Sequence, residues 1–163
     1  RSGNVVGSRG SVIPLFQRQR DLGKLTITNP KMTRFLITLE QGVNFVLRAL
    51  ENMVGGELFV PKIPACSVAD LAEIIGPDCE QEIIGLRPGE KMHEILIPSD
   101  EARNVLEFED YFVIQPIQAF WGNKIGILGG VSCCEGFYYS SNFNCENLSA
   151  EQLRDLLVDY LPG

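Results

Sequence analysis

Residues 83–94 read Ile83-Ile84-Gly85-Leu86-Arg87-Pro88-Gly89-Glu90-Lys91-Met92-His93-Glu94. The apolar start of this stretch predicts the end of a β-strand, and Pro88-Gly89 predicts a turn directly after it. An arginine and a carboxylate therefore emerge together where the chain turns. A fixed guanidinium can hold a phosphate through two parallel hydrogen bonds, and Glu90 can accept hydrogen bonds from a ribose diol. The pairing suits a nucleoside diphosphate; the alternative is a surface turn in which Arg87 and Glu90 only pair with each other.

The size and composition of the chain indicate one globular domain. Its 163 residues, 45% of them hydrophobic, suffice for a core of its own. No apolar run is long enough to span a membrane and the first residues show no targeting peptide, so we expect a cytoplasmic location and no membrane partner. The sequence starts without methionine, which favours a fragment or a trimmed product.

The formal net charge of −7 argues against a nucleic acid partner, but the charge is unevenly distributed. Residues 1–34 contain seven basic side chains and one acidic side chain, a balance of +6, which leaves −13 for the remainder. A local basic patch on an acidic protein favours a small anionic ligand over a polymer. We interpret Arg18 and Arg20 as a solvated helix face and keep Arg9, Lys24 and Arg34 as candidates for anion binding.

The five cysteines do not form a plausible disulfide framework, because their number is odd and Cys133 and Cys134 are adjacent. This usage favours a reducing compartment. The sequence has no Cys-x-x-Cys, and His93 is its single histidine. We therefore expect no metal site and interpret the cysteines as packing residues.

Strand and helix patterns alternate along the chain, which predicts an α/β or α+β fold. The clearest helix begins at Thr38, where Thr38 and Gln41 form a capping box and an apolar stripe follows until Gly55-Gly56. A second capping box, between Ser149 and Gln152, predicts a C-terminal helix. Further helices are predicted near Pro14 and after Ser67 and Ser99, and strands over residues 24–28, 57–60, 83–84 and 111–114.

Two glycine clusters fail to predict a dinucleotide-binding loop. No strand precedes Gly3, Gly7 and Gly10, and no acidic residue follows at the required distance. Residues 126–130 predict a hairpin turn instead, because the next segment is strand-like. Since no Ser/His/Asp arrangement surrounds His93, the sequence predicts no catalytic residue.

Several segments, read in order, resemble one family. They are residues 1–14, which start Arg1-Ser2-Gly3-Asn4-Val5-Val6, then Met32-Thr33-Arg34-Phe35, Phe59-Val60-Pro61-Lys62, residues 87–94, and Tyr111-Phe112-Val113-Ile114-Gln115-Pro116. They resemble the C-terminal half of UDP-N-acetylglucosamine 4,6-dehydratases of the 5-inverting type, which are extended short-chain dehydrogenase/reductases of the pseudaminic acid pathway. The resemblance continues through residues 135–141 and the Ser149 helix.

The resemblance implies the fold class and the division of the chain. It implies an α/β chain that forms the C-terminal substrate-binding part of an extended short-chain dehydrogenase, whose NAD(P)-binding Rossmann-like N-terminal half is missing. Residues 1–163 would form a single nucleotide-sugar-binding portion. Residues 1–60 would include the last strands and helices of the Rossmann half, and residues 61–163 the substrate-binding subdomain and tail.

The resemblance also implies roles for particular residues. Asn4, Val12 and Ile13 would lie along the substrate, the strand with Lys24 and Thr26 beside the uracil, Arg34 and Arg87 at the diphosphate, Glu90 at the ribose, and Ser2 and Gly3 beside the NADP cofactor. Ser2 departs from the family pattern, which usually has tyrosine there. The implied substrate is UDP-N-acetylglucosamine or a related UDP-sugar.

The family reaction oxidises C4 of the sugar by hydride transfer to NADP, eliminates water across C5 and C6, and returns the hydride to C6 with inversion at C5. The resemblance assigns proton transfer to a Tyr-x-x-x-Lys pair and an Asp-Lys pair, all of which precede the segment that aligns with Arg1-Ser2-Gly3-Asn4. We therefore expect an enzyme by family but no turnover from this polypeptide alone. Because strand edges and apolar faces would be left uncovered, we also expect a homo-oligomer or association with the missing N-terminal half.

Three alternatives remain open at this point. The first is a stand-alone nucleotide-sugar-binding module. The second is a structural or assembly role, which pairing of Arg34 and Arg87 with internal acids such as Asp110 or Glu94 would favour. The third is a UDP-sugar 4-epimerase or a retaining dehydratase, which would use the same diphosphate clamp.

Overall fold

The computed structural model describes residues 1–116 and 129–161, which form an α/β fold. The helices are α1 (Val12–Arg20), α2 (Leu39–Asn52), α3 (Val68–Ile75) and α4 (Ala150–Leu156), with single 3₁₀ turns at Ala102–Asn104 and Val158–Tyr160. The strands are β1 (Asn4–Val5), β2 (Lys24–Ile27), β3 (Thr33–Ile37), β4 (Leu58–Pro61), β5 (Ala65–Ser67), β6 (Glu80–Ile83), β7 (Ile95–Ile97), β8 (Val105–Glu107), β9 (Tyr111–Ile114), β10 (Val131–Ser132) and β11 (Tyr139–Ser140).

The strands form four small sheets. β1 pairs in parallel with β3, which pairs antiparallel with β5, and β2 pairs in parallel with β6. The order β10-β8-β9-β4 makes an antiparallel sheet, and β7 pairs antiparallel with β11. In each parallel pair, the carboxyl ends of the two strands lie at the same edge of the sheet. Segments that are far apart in the sequence therefore meet there.

Side-chain caps fix the starts of three of the predicted helices, α2, α3 and α4. Both capping boxes are confirmed: Thr38 and Gln41 bond reciprocally at the start of α2, and Ser149 and Gln152 do so at the start of α4. The Ser67 hydroxyl likewise accepts the Asp70 N–H at the start of α3. These local bonds satisfy N–H groups that have no partner within the helix.

Two apolar clusters make up most of the core. The first joins α1, β2, α3 and α4, with Phe16, Leu25, Leu71 and Leu153 at its centre. The second joins β3, β4, β7, β9 and β11 around the aromatic ring of Tyr139. The C-terminal helix and the Tyr139 strand are therefore integral parts of the fold.

The predicted helix after Ser99 is wrong. The chain there makes only the 3₁₀ turn Ala102–Asn104 and then enters β8. The acidic start suits a helix, but Val105 is buried in the β8–β9 pairing and so binds the segment into a sheet. Of the predicted turn at residues 126–130, positions 126–128 lie outside the described residues, whereas Gly129 and Gly130 have positive φ and precede β10.

Candidate functional site

The carboxyl ends of β2 and β6 meet at one edge of their parallel sheet. Ile27 faces Ile83 in the register, and the Ile84 N–H donates to Ile27 O at 2.9 Å. Thr28 and the Arg87 turn therefore leave the sheet side by side. This is the position at which ligands bind in open parallel sheets.

A cavity of about 310 Å³ opens at this edge. Seven of the eight residues to which the resemblance gives a substrate role line it: Asn4, Val12, Ile13, Thr26, Arg34, Arg87 and Glu90. They come from β1, α1, β2, β3 and the turn after β6. Segments separated by more than 80 residues in sequence thus contribute to one site. The site is concave, as small-molecule binding sites typically are.

Arg34 is held in the wall of the cavity by neutral acceptors. Its Nη1 donates to Thr33 O at 2.7 Å and to Met92 O at 3.2 Å, and its Nη2 contacts Lys91 O and Met32 Sδ, each at 3.0 Å. No acid among the described residues pairs with it. The guanidinium is therefore fixed and keeps its full charge beside the cavity, but most of its N–H groups are already in use.

Arg87 differs from Arg34 because its guanidinium has no hydrogen bond or ion pair with any residue that the structure describes. Glu90 binds the turn rather than that guanidinium: its Oε2 accepts the Arg87 backbone N–H at 3.3 Å, and its Oε1 accepts the Thr28 hydroxyl at 3.4 Å. The Arg87 side chain is exposed and Glu90 is half-buried. Judged by the residues that the structure describes, Arg87 is thus a cation at the rim of the cavity whose donors are all free.

Asp110 and Glu94 do not pair with Arg34 or Arg87, a pairing that would have indicated a purely structural role. Asp110 forms an ion pair with Arg48, and Glu94 accepts hydrogen bonds from Asn4 and from the Phe35 N–H. Across residues 1–116 and 129–161, no internal carboxylate neutralises either candidate arginine. This arrangement favours an anionic ligand over internal pairing.

The start of α1 forms another side of the cavity. Ser11, the N-cap, makes no side-chain capping bond, and its buried Oγ has no partner among the described residues. Val12 and Ile13 stand in the first turn, where helical N–H groups have no partner within the helix. The positive end of the helix dipole therefore points towards the same space as Arg87.

Lys24 and Thr26 share one face of β2, but only Thr26 reaches the cavity. Lys24 forms a 3.1 Å ion pair with Glu82 on β6. The hydrogen bond to that carboxylate raises the pKa of the lysine. The Thr26 hydroxyl accepts a 2.7 Å bond from Gln19 Nε2. Lys24 is thus the one predicted substrate-binding residue that does not line the cavity.

Ser2 and Gly3 lie away from this cavity. Ser2 lines a separate apolar groove beside α2, and Gly3 packs so closely against Phe35 that a Cβ there would overlap its side chain. The nearby Arg1 guanidinium is bonded to the Glu101 carboxylate and to Leu96 O. These residues offer no free cation or loop of N–H groups for a dinucleotide, so by themselves they do not fit NADP.

The described residues show neither a metal-binding cluster nor a helix that could cross a membrane. In the described ranges, no group of three or more His, Cys, Asp and Glu side chains could hold a metal ion. No helix within them has the length and apolarity needed to cross a bilayer.

Sequence reasoning missed several residues of the site. Thr28 continues the alternation of Lys24 and Thr26, which could have identified it. Ser11 could have been found from its place directly before the predicted helix. The sequence carries no local signal for Glu94 as a partner of Asn4, because the two are 90 residues apart.

The fold matches the C-terminal part of an extended short-chain dehydrogenase. The chain belongs to a family described as polysaccharide biosynthesis protein, whose model matches residues 1–116. The family resemblance seen in the sequence is therefore confirmed.

Two named relatives and a solved structure match almost the whole chain. It is 46% identical over 165 residues to the UDP-N-acetylglucosamine 4,6-dehydratase (inverting) of Campylobacter jejuni, covering 96% of this chain and 49% of that protein. It is 47% identical over 170 residues to the UDP-glucose 4-epimerase of Rickettsia massiliae, covering 99% and 49%. The X-ray structure of Pen from Bacillus thuringiensis superposes with a TM-score of 0.79 at 36% identity, covering 97% and 48%. The chain thus spans about half the length of these relatives.

Proposed function

We propose that this chain binds a UDP-sugar, UDP-N-acetylglucosamine in the first instance, as the substrate-binding portion of an NADP-dependent UDP-N-acetylglucosamine 4,6-dehydratase of the inverting type. The observation that carries the proposal is the shared cavity: seven of the eight residues assigned to the substrate by resemblance line it. The 46% identity to the dehydratase of Campylobacter jejuni supports the choice of sugar nucleotide.

In this proposal the diphosphate lies between the start of α1 and the free guanidinium of Arg87. Arg87 donates bidentate hydrogen bonds to phosphate oxygens, and the orphaned Ser11 hydroxyl donates another. Arg34 stabilises the second phosphate mainly through its fixed charge, because its donors are engaged with backbone carbonyls. Two cationic side chains and a helix N-terminus suit a ligand with two negative charges.

The nucleoside occupies the β2 side of the cavity. Glu90 accepts hydrogen bonds from the ribose diol, assisted by the Thr28 hydroxyl that already lies 3.4 Å from its carboxylate. The uracil lies along β2 near Thr26. Asn4, on the opposite wall, then faces the sugar.

The redox and proton-transfer steps are assigned to groups that this sequence does not contain. None of its four tyrosines is followed by lysine at the fourth position, and the residues around Ser2 and Gly3 do not make an NADP site by themselves. We propose that the 163 residues bind substrate without turning it over. Residues 1–60 and 61–163 would be the two parts of this substrate-binding portion. The parent enzyme would act in the cytoplasm, in the biosynthesis of pseudaminic acid or a related glycan.

A 4-epimerase is the second candidate. The 47% identity to the epimerase of Rickettsia massiliae favours it, and an epimerase would use the same diphosphate-binding residues. The two differ in the preferred sugar, since the names of the relatives specify UDP-N-acetylglucosamine and UDP-glucose respectively.

The surface of α2 supports a further proposal, association with another polypeptide. The helix buries none of its 14 residues, and Leu39, Val43, Val46, Leu47 and Leu50 make an exposed apolar stripe. Such patches mark protein contacts. We propose that the stripe mediates self-association or pairing with a polypeptide equivalent to the rest of the relatives' length.

A comparison of the affinities for four nucleotides tests the binding function. UDP-N-acetylglucosamine, UDP-glucose, UDP and UMP are titrated into the chain in a calorimeter. We expect the three diphosphates to bind and UMP to bind at least about tenfold more weakly, because it lacks the second phosphate. A preference for UDP-glucose over UDP-N-acetylglucosamine would favour the epimerase, and equal binding of UMP and UDP would refute the diphosphate site.

A further inference from the structure

The side-chain amide of Asn4 is held in one orientation. Its Nδ2 donates to Glu94 Oε1 at 2.7 Å and to Phe35 O at 3.4 Å. A carboxylate and a carbonyl only accept hydrogen bonds, so the atom that faces both must be the amide nitrogen. Both N–H groups are therefore committed within the protein. The remaining Oδ1 receives no donor from the residues that the structure describes.

Glu94 is itself fixed on three sides. Its Oε2 accepts the Phe35 N–H at 2.8 Å, so the carboxylate spans β1 and β3. Its backbone N–H donates to Ser141 Oγ at 2.9 Å, and its carbonyl accepts the Ser141 N–H at 2.9 Å. Ser141 is fully buried and also donates to Thr33 O at 3.1 Å. Glu94 cannot change its position without breaking this network.

We propose that Glu94 is a positioning residue: it orients Asn4 so that the amide presents a carbonyl acceptor to the cavity and therefore selects a hydrogen-bond donor on the ligand. The donor is a hydroxyl or an amide N–H of the sugar. This inference rests on the proposed function, because the sugar is the part of a UDP-sugar that lies towards Asn4. A cavity wall that offered the NH₂ group instead would select an acceptor.

Glu94→Gln tests the orientation with almost no change of shape. The Phe35 N–H still needs an acceptor, so the carbonyl of the introduced glutamine faces it and the NH₂ group faces Asn4. Asn4 must then turn its own oxygen towards that NH₂ and its nitrogen towards the cavity. We expect the ratio of the dissociation constants for UDP-N-acetylglucosamine and UDP to rise about 5- to 10-fold, as for one lost hydrogen bond.

The double variant Asn4→Asp with Glu94→Gln is the matched rescue. It exchanges the two chemical groups and keeps the net charge. One oxygen of the introduced aspartate accepts from the glutamine, and the other again offers an acceptor to the cavity. We expect the ratio to return towards the wild-type value. A purely structural role of Glu94 predicts no such rescue, because the double variant also lacks the original carboxylate at position 94.

A ligand-free measurement decides the orientation even if no nucleotide binds. In NMR spectra of the wild-type chain, the Asn4 side-chain N–H protons should exchange with water more slowly than those of exposed asparagines such as Asn44. In Glu94→Gln that protection should be lost. Fast exchange in the wild type, or an unchanged dissociation-constant ratio in Glu94→Gln, would overturn the inference. Failure of the wild type to bind UDP would instead refute the proposed function.

Discussion

Tyr139 and Ile63 form two hydrogen bonds with each other. The Tyr139 hydroxyl donates to Ile63 O at 3.0 Å and accepts the Ile63 N–H at 2.9 Å, and the tyrosine is only 1% exposed. The ring also packs against Phe35 and Phe112, with centroids 5.0 and 5.1 Å away. One side chain thus joins the tail to the segment after β4. The tail stabilises the part of the chain that carries the cavity, although it lies beyond the range that the family model matches.

Tyr139→Phe should therefore destabilise the fold. The ring would stay, but a buried N–H and a buried carbonyl would lose their partner, at a cost of about 1–3 kcal/mol in the free energy of unfolding. Urea unfolding followed by circular dichroism measures the loss. Tyr138→Phe is the control and should change the free energy of unfolding by less than about 0.5 kcal/mol, because within the described part of the chain the Tyr138 hydroxyl makes only an exposed 3.4 Å contact to Asn142. Equal effects of the two changes would contradict this account.

Gly7 and Gly10 provide a second matched pair. Both have positive φ, 73° and 79°, but a Cβ at Gly7 would collide with the Tyr160 side chain whereas a Cβ at Gly10 would meet nothing within 4 Å. Gly10→Ala should cost only the strain of the left-handed conformation, about 1–2 kcal/mol. Gly7→Ala should cost clearly more, because Tyr160 must also move. Thermal unfolding measures the difference. Equal melting temperatures of the two variants would disprove the proposed overlap.

The buried Cys66 thiol makes stability depend on alkaline pH. Burial, with smaller contributions from Asp70 and Glu94, raises its pKa from 9.0 to about 12. Between these values the unfolded chain has lost this proton and the folded chain has kept it, so the free energy of unfolding falls as the pH rises. The contribution is complete below pH 9 and declines towards pH 12 by about 1.4 kcal/mol per pH unit.

The measurement compares urea unfolding of the wild type and Cys66→Ala from pH 7 to pH 11. The variant should show the shallower decline above pH 9, whatever its stability at pH 7. Parallel declines would show that Cys66 does not carry this pH dependence. All five cysteines are free thiols in the structure, so the experiment uses reducing buffer.

The apolar stripe of α2 should promote association. Leu47 is 54% exposed within it, and Leu47→Lys would place a charge in any apolar contact. We expect concentration-dependent sedimentation of the wild type and a shift of Leu47→Lys towards the monomer. Asn44→Lys adds the same charge to an exposed polar position of the helix and should sediment like the wild type. If the wild type remains monomeric at every concentration, self-association is excluded, and pairing with a different polypeptide remains the form of the proposal to test.

Local signals predicted much of the fold. Each capping box joins residues three positions apart, so the sequence alone identifies the starts of α2 and α4. The same applies to Ser67 at the start of α3. The strands β5, β7 and β11 were missed because two or three residues are too few to show an alternating pattern. Their existence depends on partners far away in the chain.

The candidate site was predicted as a set of residues but not as a geometry. The resemblance assigned Arg34 and Arg87 the same role, yet the Arg34 guanidinium is engaged with backbone carbonyls, whereas that of Arg87 bonds to none of the described residues. That difference depends on the position of the Lys91-Met92 backbone, which no local pattern specifies. The roles of Glu94 and Ser141 likewise require the distances between β1, β3 and the tail.

Calorimetric titration of the chain with UDP-N-acetylglucosamine, compared with the same titration of Arg87→Ala, tests the central claim most directly. Arg103→Ala is the control, because Arg103 is exposed and does not line the cavity. We expect saturable binding by the wild type and by the control, and about 10- to 100-fold weaker binding by Arg87→Ala, the effect of losing charge-assisted hydrogen bonds. Wild-type affinity in a folded Arg87→Ala variant, or no binding by the folded wild type, would contradict the account.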